Sequence, residues 1–242
     1  SIKNNLEEFD VSLLHGVTAS GKTEIYIKLL EEYVQAEKQV LFLLPEIALT
    51  TQLVQRLTAY FGNEVAGFHS KYTNNERIEV WNQVLENSPK AKVVIGVRSA
   101  LFLPFSNLGC IIVDEEHEQT FKQHDPAPRY HARDAAIVLA KQHGAKVVLG
   151  SATPSLETYY NVQSNKYGLT ELKVRYGNVV LPEIQLVDLK DKYFRKKMSG
   201  HFSDELLEEI TETLSKGEQV ILFQNRRGFS PYVECMTCGH VP

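Results

Sequence analysis

At 242 residues and 43% hydrophobic, the chain can bury a real core, which excludes a disordered polypeptide and suits one or two domains. Its formal charge of −4 excludes a protein that coats nucleic acid with its whole surface, but not one with a local basic cleft. Three cysteines are too few for a disulfide framework, no apolar run is long enough to span a bilayer, and SIKNNLEEFD lacks the basic-then-apolar order of a secretion signal, so a soluble cytoplasmic protein without membrane contact is expected.

In chain order, short apolar runs alternate with segments of helical period: VSLLHG, then 23–35; QVLFLLP, then 48–60; VAGFHS, then 75–86; KVVIGV; CIIVDEEH; then 132–143; then KVVLGSAT. Runs of Val, Ile and Leu without polar alternation suit strands covered on both faces, which implies a mostly parallel sheet with flanking crossover helices. The fold class is α/β. Beyond Tyr160 the rhythm loosens through NVQSNKYGLTELKVRYGNVVLP, read as a connection punctuated by Gly168, Gly177 and Pro182. A second α/β unit then opens with IQLVDL as a strand and a basic segment (Lys190, Lys192, Arg195, Lys196, Lys197). Ser203 follows as an N-cap before DELLEEITETLSKG, and QVILFQNRRG reads as a further strand. A strand-helix-strand piece does not close a core, so this second unit is expected to be incomplete. Its basic segment reads either as a nucleic-acid cleft or as a solvated loop.

The stretch Gly16, Val17, Thr18, Ala19, Ser20, Gly21, Lys22, Thr23 fits G-x-x-x-x-G-K-[ST] between a strand and a helix. Glycines let the backbone approach phosphate oxygens, and the helix start offers its positive dipole end. Lys22 would reach the β and γ phosphates, and the Thr23 hydroxyl would ligate Mg2+. Asp114 and Glu115 close the apolar run GCIIVDEEH. A neighbouring parallel strand is expected to carry the cradle. Asp114 would then hold Mg2+, and Glu115 would orient and deprotonate the attacking water. Nucleotide binding with water activation means hydrolysis.

Asp114, Glu115, Glu116, His117 and Gly150, Ser151, Ala152, Thr153 resemble the D-E-x-H and S-A-T motifs of superfamily 2 helicases. GVTASGKTEIY, LLPEIALT, FHSKYTNNER, GVRSALFLPF, IIVDEEHEQTFKQ, PRYHARDAA, LGSATPSLET and ILFQNRRGFSP follow in order along nearly the whole chain. This series resembles the bacterial primosomal replication-restart helicases. The resemblance implies a RecA-like P-loop NTPase lobe over 1–178, the start of a second RecA-like lobe over 179–230, and the first half of a zinc-binding insertion over 231–242. It implies ATP and Mg2+ as cofactors, with Zn2+ in the intact protein. The implied activity is 3′ to 5′ DNA translocation at stalled forks, and the implied partners are forked and single-stranded DNA, primosome proteins and single-stranded-DNA-binding proteins.

Residue by residue, the resemblance makes His117, Ser151 and Thr153 the link between the γ phosphate and the strand-holding surface; read without it, they are polar caps at a sheet edge. It makes PEIALTTQ from Pro45, with Arg98 and Ser99, backbone contacts to nucleic acid. Segment 121–134 resembles the family's aromatic-rich single-stranded-DNA loop, in which Phe121, Tyr130, His124 and His131 would stack on bases while Lys122, Arg129 and Arg133 would meet phosphates, or else Phe121 and Tyr130 merely anchor the loop. Cys235 and Cys238 form half of a tetrahedral zinc site, or a pair of free thiols in this chain. The arginine that completes catalysis is expected beyond Pro242, with Arg226 and Arg227 not assigned to that role, so weak nucleotide binding and slow turnover are expected of this chain alone. An ATPase acting on proteins, and a non-catalytic DNA-binding module, are the rival readings.

Overall fold

The computed structural model describes residues 2–45, 51–69, 72–178, 182–223 and 237–238. The chain divides into two compact units, Ser1–Val180 and Leu181–Pro242. In the first, α1 (Ile2–Glu8) leads into β1 (Val11–Gly16), α2 (Lys22–Gln35), β2 (Gln39–Leu43), α3 (Thr51–Phe61), β3 (Val65–Phe68) and α4 (Asn74–Leu85). It continues through β4 (Val93–Gly96), β5 (Leu108–Asp114), α5 (Ala132–His143), β6 (Lys146–Ser151), α6 (Leu156–Gln163) and β7 (Gly168–Leu172).

All seven strands pair in parallel, in the order β3-β4-β2-β5-β6-β1-β7. Alternate residues of one strand serve opposite cores. Leu41 and Leu43 pack with Val80, Val84, Ala136 and Ala140 of α4 and α5. Val40 and Phe42 pack with Leu6, Ile27, Leu30 and Leu57 of α1, α2 and α3. Burial on both faces is why the strands read as unbroken apolar runs. Because every strand is parallel, every C-terminal end lies on one sheet edge, which is where open α/β sheets bind ligands.

Two features of this order differ from the expectation. β6 lies between β1 and β5, so the strand carrying the cradle and the strand carrying the acids are not neighbours. The segment read as a loosened connection contains α6 and the edge strand β7, which pairs with β1 from Ser12–Gly168 to Gly16–Leu172. Asn5 of α1 clasps β7 by donating Nδ2 to Leu169 O at 2.7 Å and to Thr170 Oγ1 at 2.8 Å.

The second unit holds α7 (Leu189–Phe194), a two-residue hairpin of β8 (Met198–Ser199) and β9 (Phe202–Ser203), and α8 (Asp204–Ser215). Ser203 caps α8 as expected, its hydroxyl accepting from Leu206 N at 3.3 Å. The basic segment is partly spent on this helix start: Lys192 meets Asp204 at 3.0 Å and also Glu205, and Lys197 meets Asp204 at 3.3 Å. The expected strands IQLVDL and QVILFQNRRG are absent among the described residues of 182–223. Ile184, Leu186, Ile221 and Phe223 are each at least 80% exposed, and a strand without a ladder or a covering layer is not stable alone. No helix among the described residues is long and apolar enough to cross a membrane.

Candidate nucleotide and strand-binding site

Between β1 and α2 the chain makes the tight loop that the glycine pattern demands. Ser20 N donates to Val17 O at 3.1 Å, Ala19 stands at φ +61°, and Gly21 at φ +88° caps α2. A Cβ on Gly16 would lie 2.7 Å from Ser20 Oγ and 2.9 Å from Lys22 Cγ, so a larger residue there would displace these two side chains. The segment after β7 braces it, since Val17 N donates to Leu172 O at 3.1 Å and Tyr176 N to Ala19 O at 2.8 Å.

Lys22 Nζ donates to Gly16 O at 2.9 Å across the loop. The Ser20 hydroxyl is buried without a hydrogen-bond partner among the described residues, and a buried hydroxyl without a partner is costly. A polyphosphate fits these residues: it would receive the Lys22 ammonium and the Ser20 hydroxyl and lie at the helix start. Thr18 lies in the same loop, and Thr23 sits in the first turn of α2.

Asp114 ends β5 and is tied to α2 by Tyr26, whose hydroxyl donates to Asp114 Oδ1 at 2.9 Å. Burial lifts the Asp114 pKa above the ordinary carboxylate value, while the bond from Tyr26 and the charge of Lys22 act against that rise. The same burial, with the charge of Asp114, pushes the Tyr26 phenol far up. The Thr23 hydroxyl and the Asp114 carboxylate are oxygen donors of the kind that suits Mg2+. Glu115 turns at φ +50°, and its Oε2 lies 3.7 Å from His117 Nδ1.

His117 Nδ1 is 2.8 Å from Ser151 Oγ, and its Nε2 is 3.4 Å from Thr153 Oγ1. Thr153 N donates to Ser151 Oγ at 2.9 Å. The structure therefore joins the expected residues 114–117 and 151–153 into one cluster, because β5 and β6 end side by side.

Two assignments in 121–134 are corrected. Phe121 has no exposed surface and belongs to the core, so its ring anchors the segment instead of offering a face to a base. Arg133 is also buried. Its Nη1 donates to Glu116 Oε2 at 3.0 Å and to Ser155 Oγ at 2.6 Å, and its Nε donates to Asp134 at 2.8 Å. It is committed to the protein interior instead of to phosphate.

The rest of that loop is closed on itself. Gln123 N donates to Tyr130 O at 2.9 Å, Gln123 Nε2 to Pro126 O at 2.8 Å, and Lys122 Nζ to Arg129 O. Arg98 Nη1 donates to Lys122 O at 2.9 Å, so Arg98 supports the loop. Tyr130 packs edge-on against Phe102, ring centroids 5.1 Å apart at 82°. Phe102 is 57% exposed, and sequence reasoning passed over it because it follows the apolar pair Ala100 and Leu101. Arg98, Ser99, Gln123 and Tyr130 with Leu44 and Pro45 line a cavity of ≈ 240 Å³ on the same sheet edge; Ser99 and Arg129 are exposed. The remainder of PEIALTTQ is undescribed over 46–50, and Arg226, Arg227 and Cys235 also lie outside the described residues. Cys238 is an exposed free thiol, and no cluster of three or more metal-ligating side chains occurs among the described residues.

The chain is 47% identical over 236 residues to the replication restart protein PriA of Bacillus subtilis (strain 168), covering 98% of this chain and 29% of that protein. It is 48% identical over 233 residues to the replication restart protein PriA of Haemophilus influenzae (strain ATCC 51907 / DSM 11121 / KW20 / Rd), covering 96% and 31%. The chain therefore spans less than a third of the length of these relatives. Among solved structures, it is similar in fold to RecG bound to a three-way DNA junction, with a TM-score of 0.57 at 21% identity over 85% of this chain and 25% of that one. Residues 1–162 match the DEAD/DEAH box helicase model, two thirds of the chain, and the chain belongs to that helicase family.

Proposed function

We propose that the chain is the ATP-binding lobe of a 3′ to 5′ DNA helicase that acts at stalled forks in primosome assembly and replication restart. The observation that carries the reading is the Tyr26–Asp114 hydrogen bond, because it brings the cradle helix α2 and the acid of β5 to one point although β6 separates their strands. Mg2+ supplies charge neutralisation of the β and γ phosphates when bound, with Thr23 and Asp114 as its protein oxygen ligands.

In this reading Gly16, Thr18, Ala19, Ser20 and Gly21 surround the phosphates with backbone N–H groups, and Lys22 exchanges its bond to Gly16 O for phosphate oxygens. Glu115 orients the attacking water and takes its proton. His117 receives the resulting change and passes it through Ser151 and Thr153 along the edge of β6. Arg98, Ser99, Lys122, Arg129 and Tyr130 hold one DNA strand through its backbone and base faces, without sequence readout. Cys235 and Cys238 contribute half of a zinc site in the longer protein. Primosome and single-stranded-DNA-binding proteins are the partners that follow from this reading, with fork shape as the recognition element.

The test is steady-state ATP hydrolysis by the full-length protein with single-stranded, duplex and forked DNA at fixed salt. Forked and single-stranded DNA should raise turnover, and Lys22→Ala should abolish it. Turnover indifferent to DNA would favour an ATPase acting on proteins, and an unaffected Lys22→Ala protein would favour a passive binding module.

A further inference from the structure

Tyr26 is fully buried in α2, one turn beyond Lys22 and Thr23, and its ring packs edge-on against Phe42 with centroids 5.5 Å apart. To reach Asp114 its hydroxyl must pass β6, the strand between β1 and β5. It does so over Gly150, which pairs with Leu14 on one side and Asp114 on the other. A Cβ on Gly150 would lie 1.6 Å from the Tyr26 hydroxyl oxygen and 3.1 Å from Asp114 Oδ1. Contacts below 3 Å of this kind cannot be relieved by small shifts in a close-packed interior, so Gly150 is the opening through which the hydroxyl meets the carboxylate.

Thr23 and Tyr26 are three residues apart and lie on the same face of α2. One rigid helical turn thus carries both the hydroxyl expected at the cation and the anchor of the carboxylate expected beside it. A carboxylate at a strand end rotates about two side-chain bonds unless something holds it, and Mg2+ tolerates little departure from octahedral geometry. Outer partners that orient a ligating carboxylate are worth a large share of metal affinity.

We propose that Tyr26 is a positioning residue for the nucleotide-bound cation, fixing Asp114 relative to Thr23 through its hydroxyl, and that Gly150 is required at its position to admit that hydroxyl. This rests on the reading of Asp114 as a Mg2+ ligand.

The test is Mg2+ titration of the 242-residue chain with a fluorescent, non-hydrolysable ATP analogue, read as the Mg2+ concentration at half-saturation, with thermal unfolding followed in parallel. Tyr26→Phe keeps the ring and removes only the hydroxyl; it should raise that concentration about tenfold. Gly150→Ala adds one methyl group and keeps the tyrosine, so it should reproduce the rise by an independent route even if Tyr26→Phe does not fold. In an Asp114→Asn background neither change should move the Mg2+ dependence further. Variants that melt earlier but keep the wild-type half-saturation would overturn the inference and leave the nucleotide reading intact. A wild-type chain whose analogue binding ignores Mg2+ would overturn both.

Discussion

Glu116 offers the sharpest test of how the sheet edge is held together, because it is a carboxylate with no exposed surface. Ser155 N donates to its Oε1 at 2.7 Å, while Arg133 Nη1 at 3.0 Å, Thr158 Oγ1 at 2.9 Å and Ser155 Oγ at 3.1 Å reach Oε2. Removing one partner of a buried ion pair costs roughly 3–5 kcal/mol, and a single hydrogen bond to a charged group about 1.5–3 kcal/mol. Arg133→Met leaves Glu116 with three neutral donors, so about 3 kcal/mol is expected, between those limits. Glu116→Met should cost about 3 kcal/mol, because it leaves the buried Arg133 with Asp134 as its remaining ionic partner. The double variant should cost at least about 2 kcal/mol less than the sum, since no buried charge is then stranded. The assay is guanidinium denaturation followed by the fluorescence of Trp81, the single tryptophan, which lies in α4 and so reports the first unit. A loss below about 1 kcal/mol in Arg133→Met with unchanged m, or strict additivity in the double variant, would refute the reasoning.

Phe121→Ala should destabilise the first unit by about 3–5 kcal/mol through a core cavity. Phe102→Ala and Tyr130→Ala should leave unfolding nearly unchanged and weaken single-stranded DNA binding by about 1–3 kcal/mol per stacked base; equal DNA defects in all three, by titration at fixed salt, would restore Phe121 to the strand surface. His131 has its pKa lowered by burial and then by the charge of Arg133. Between that lowered value and the ordinary histidine pKa the unfolded chain binds the proton and the folded chain does not. Its contribution is therefore fully present above about pH 6.5 and is lost as pH falls through the folded pKa. Urea titrations from pH 7.5 to 5 should show wild type losing stability faster than His131→Asn, and parallel slopes would contradict this. Glu115→Gly should stabilise the fold by about 0.5–1 kcal/mol over Glu115→Ala, because only glycine accepts φ +50° without strain; identical midpoints would show that the turn is unstrained. Both variants should lose hydrolysis.

The strands β1, β2, β4, β5 and β6 were legible because burial on both faces writes itself as consecutive Val, Ile and Leu. β7 was not: Gly-Leu-Thr-Glu-Leu lies at the sheet edge with partial exposure, and its polar residues read as a connection. IQLVDL carried a strand-like composition, but composition does not provide a ladder. The tight glycine loop between β1 and α2 was legible because its pattern is local, eight consecutive residues between a strand and a helix. Strand order is not local, so nothing in VSLLHG or CIIVDEEH announces that KVVLGS lies between them. For the same reason Tyr26 was invisible, its partner being 88 residues away. Arg133 misled because a cation among prolines, histidines and other cations reads as surface. Its burial depends on Glu116, which the sequence shows only as the third of three consecutive acids.

That run of three acids shows how a backbone turn divides like residues among unlike roles. Had β5 continued, Asp114 and Glu116, two residues apart, would have faced the same side of the sheet. Instead Glu115 takes φ +50°, and Glu116 N donates back to Gly150 O at 3.0 Å. Asp114 is left on the side of α2, against Tyr26, whereas Glu116 swings to the opposite core and meets Arg133 of α5. His117 then emerges beside Ser151 at the tip of β6. Left-handed backbone at a residue with a side chain costs on the order of 1–3 kcal/mol, and such strain persists only where the surroundings over-determine it. Here the surroundings are the tyrosine bond before the turn and the fourfold-bonded carboxylate after it. Together they hold Glu115, the residue proposed to activate water, at the crest of the turn.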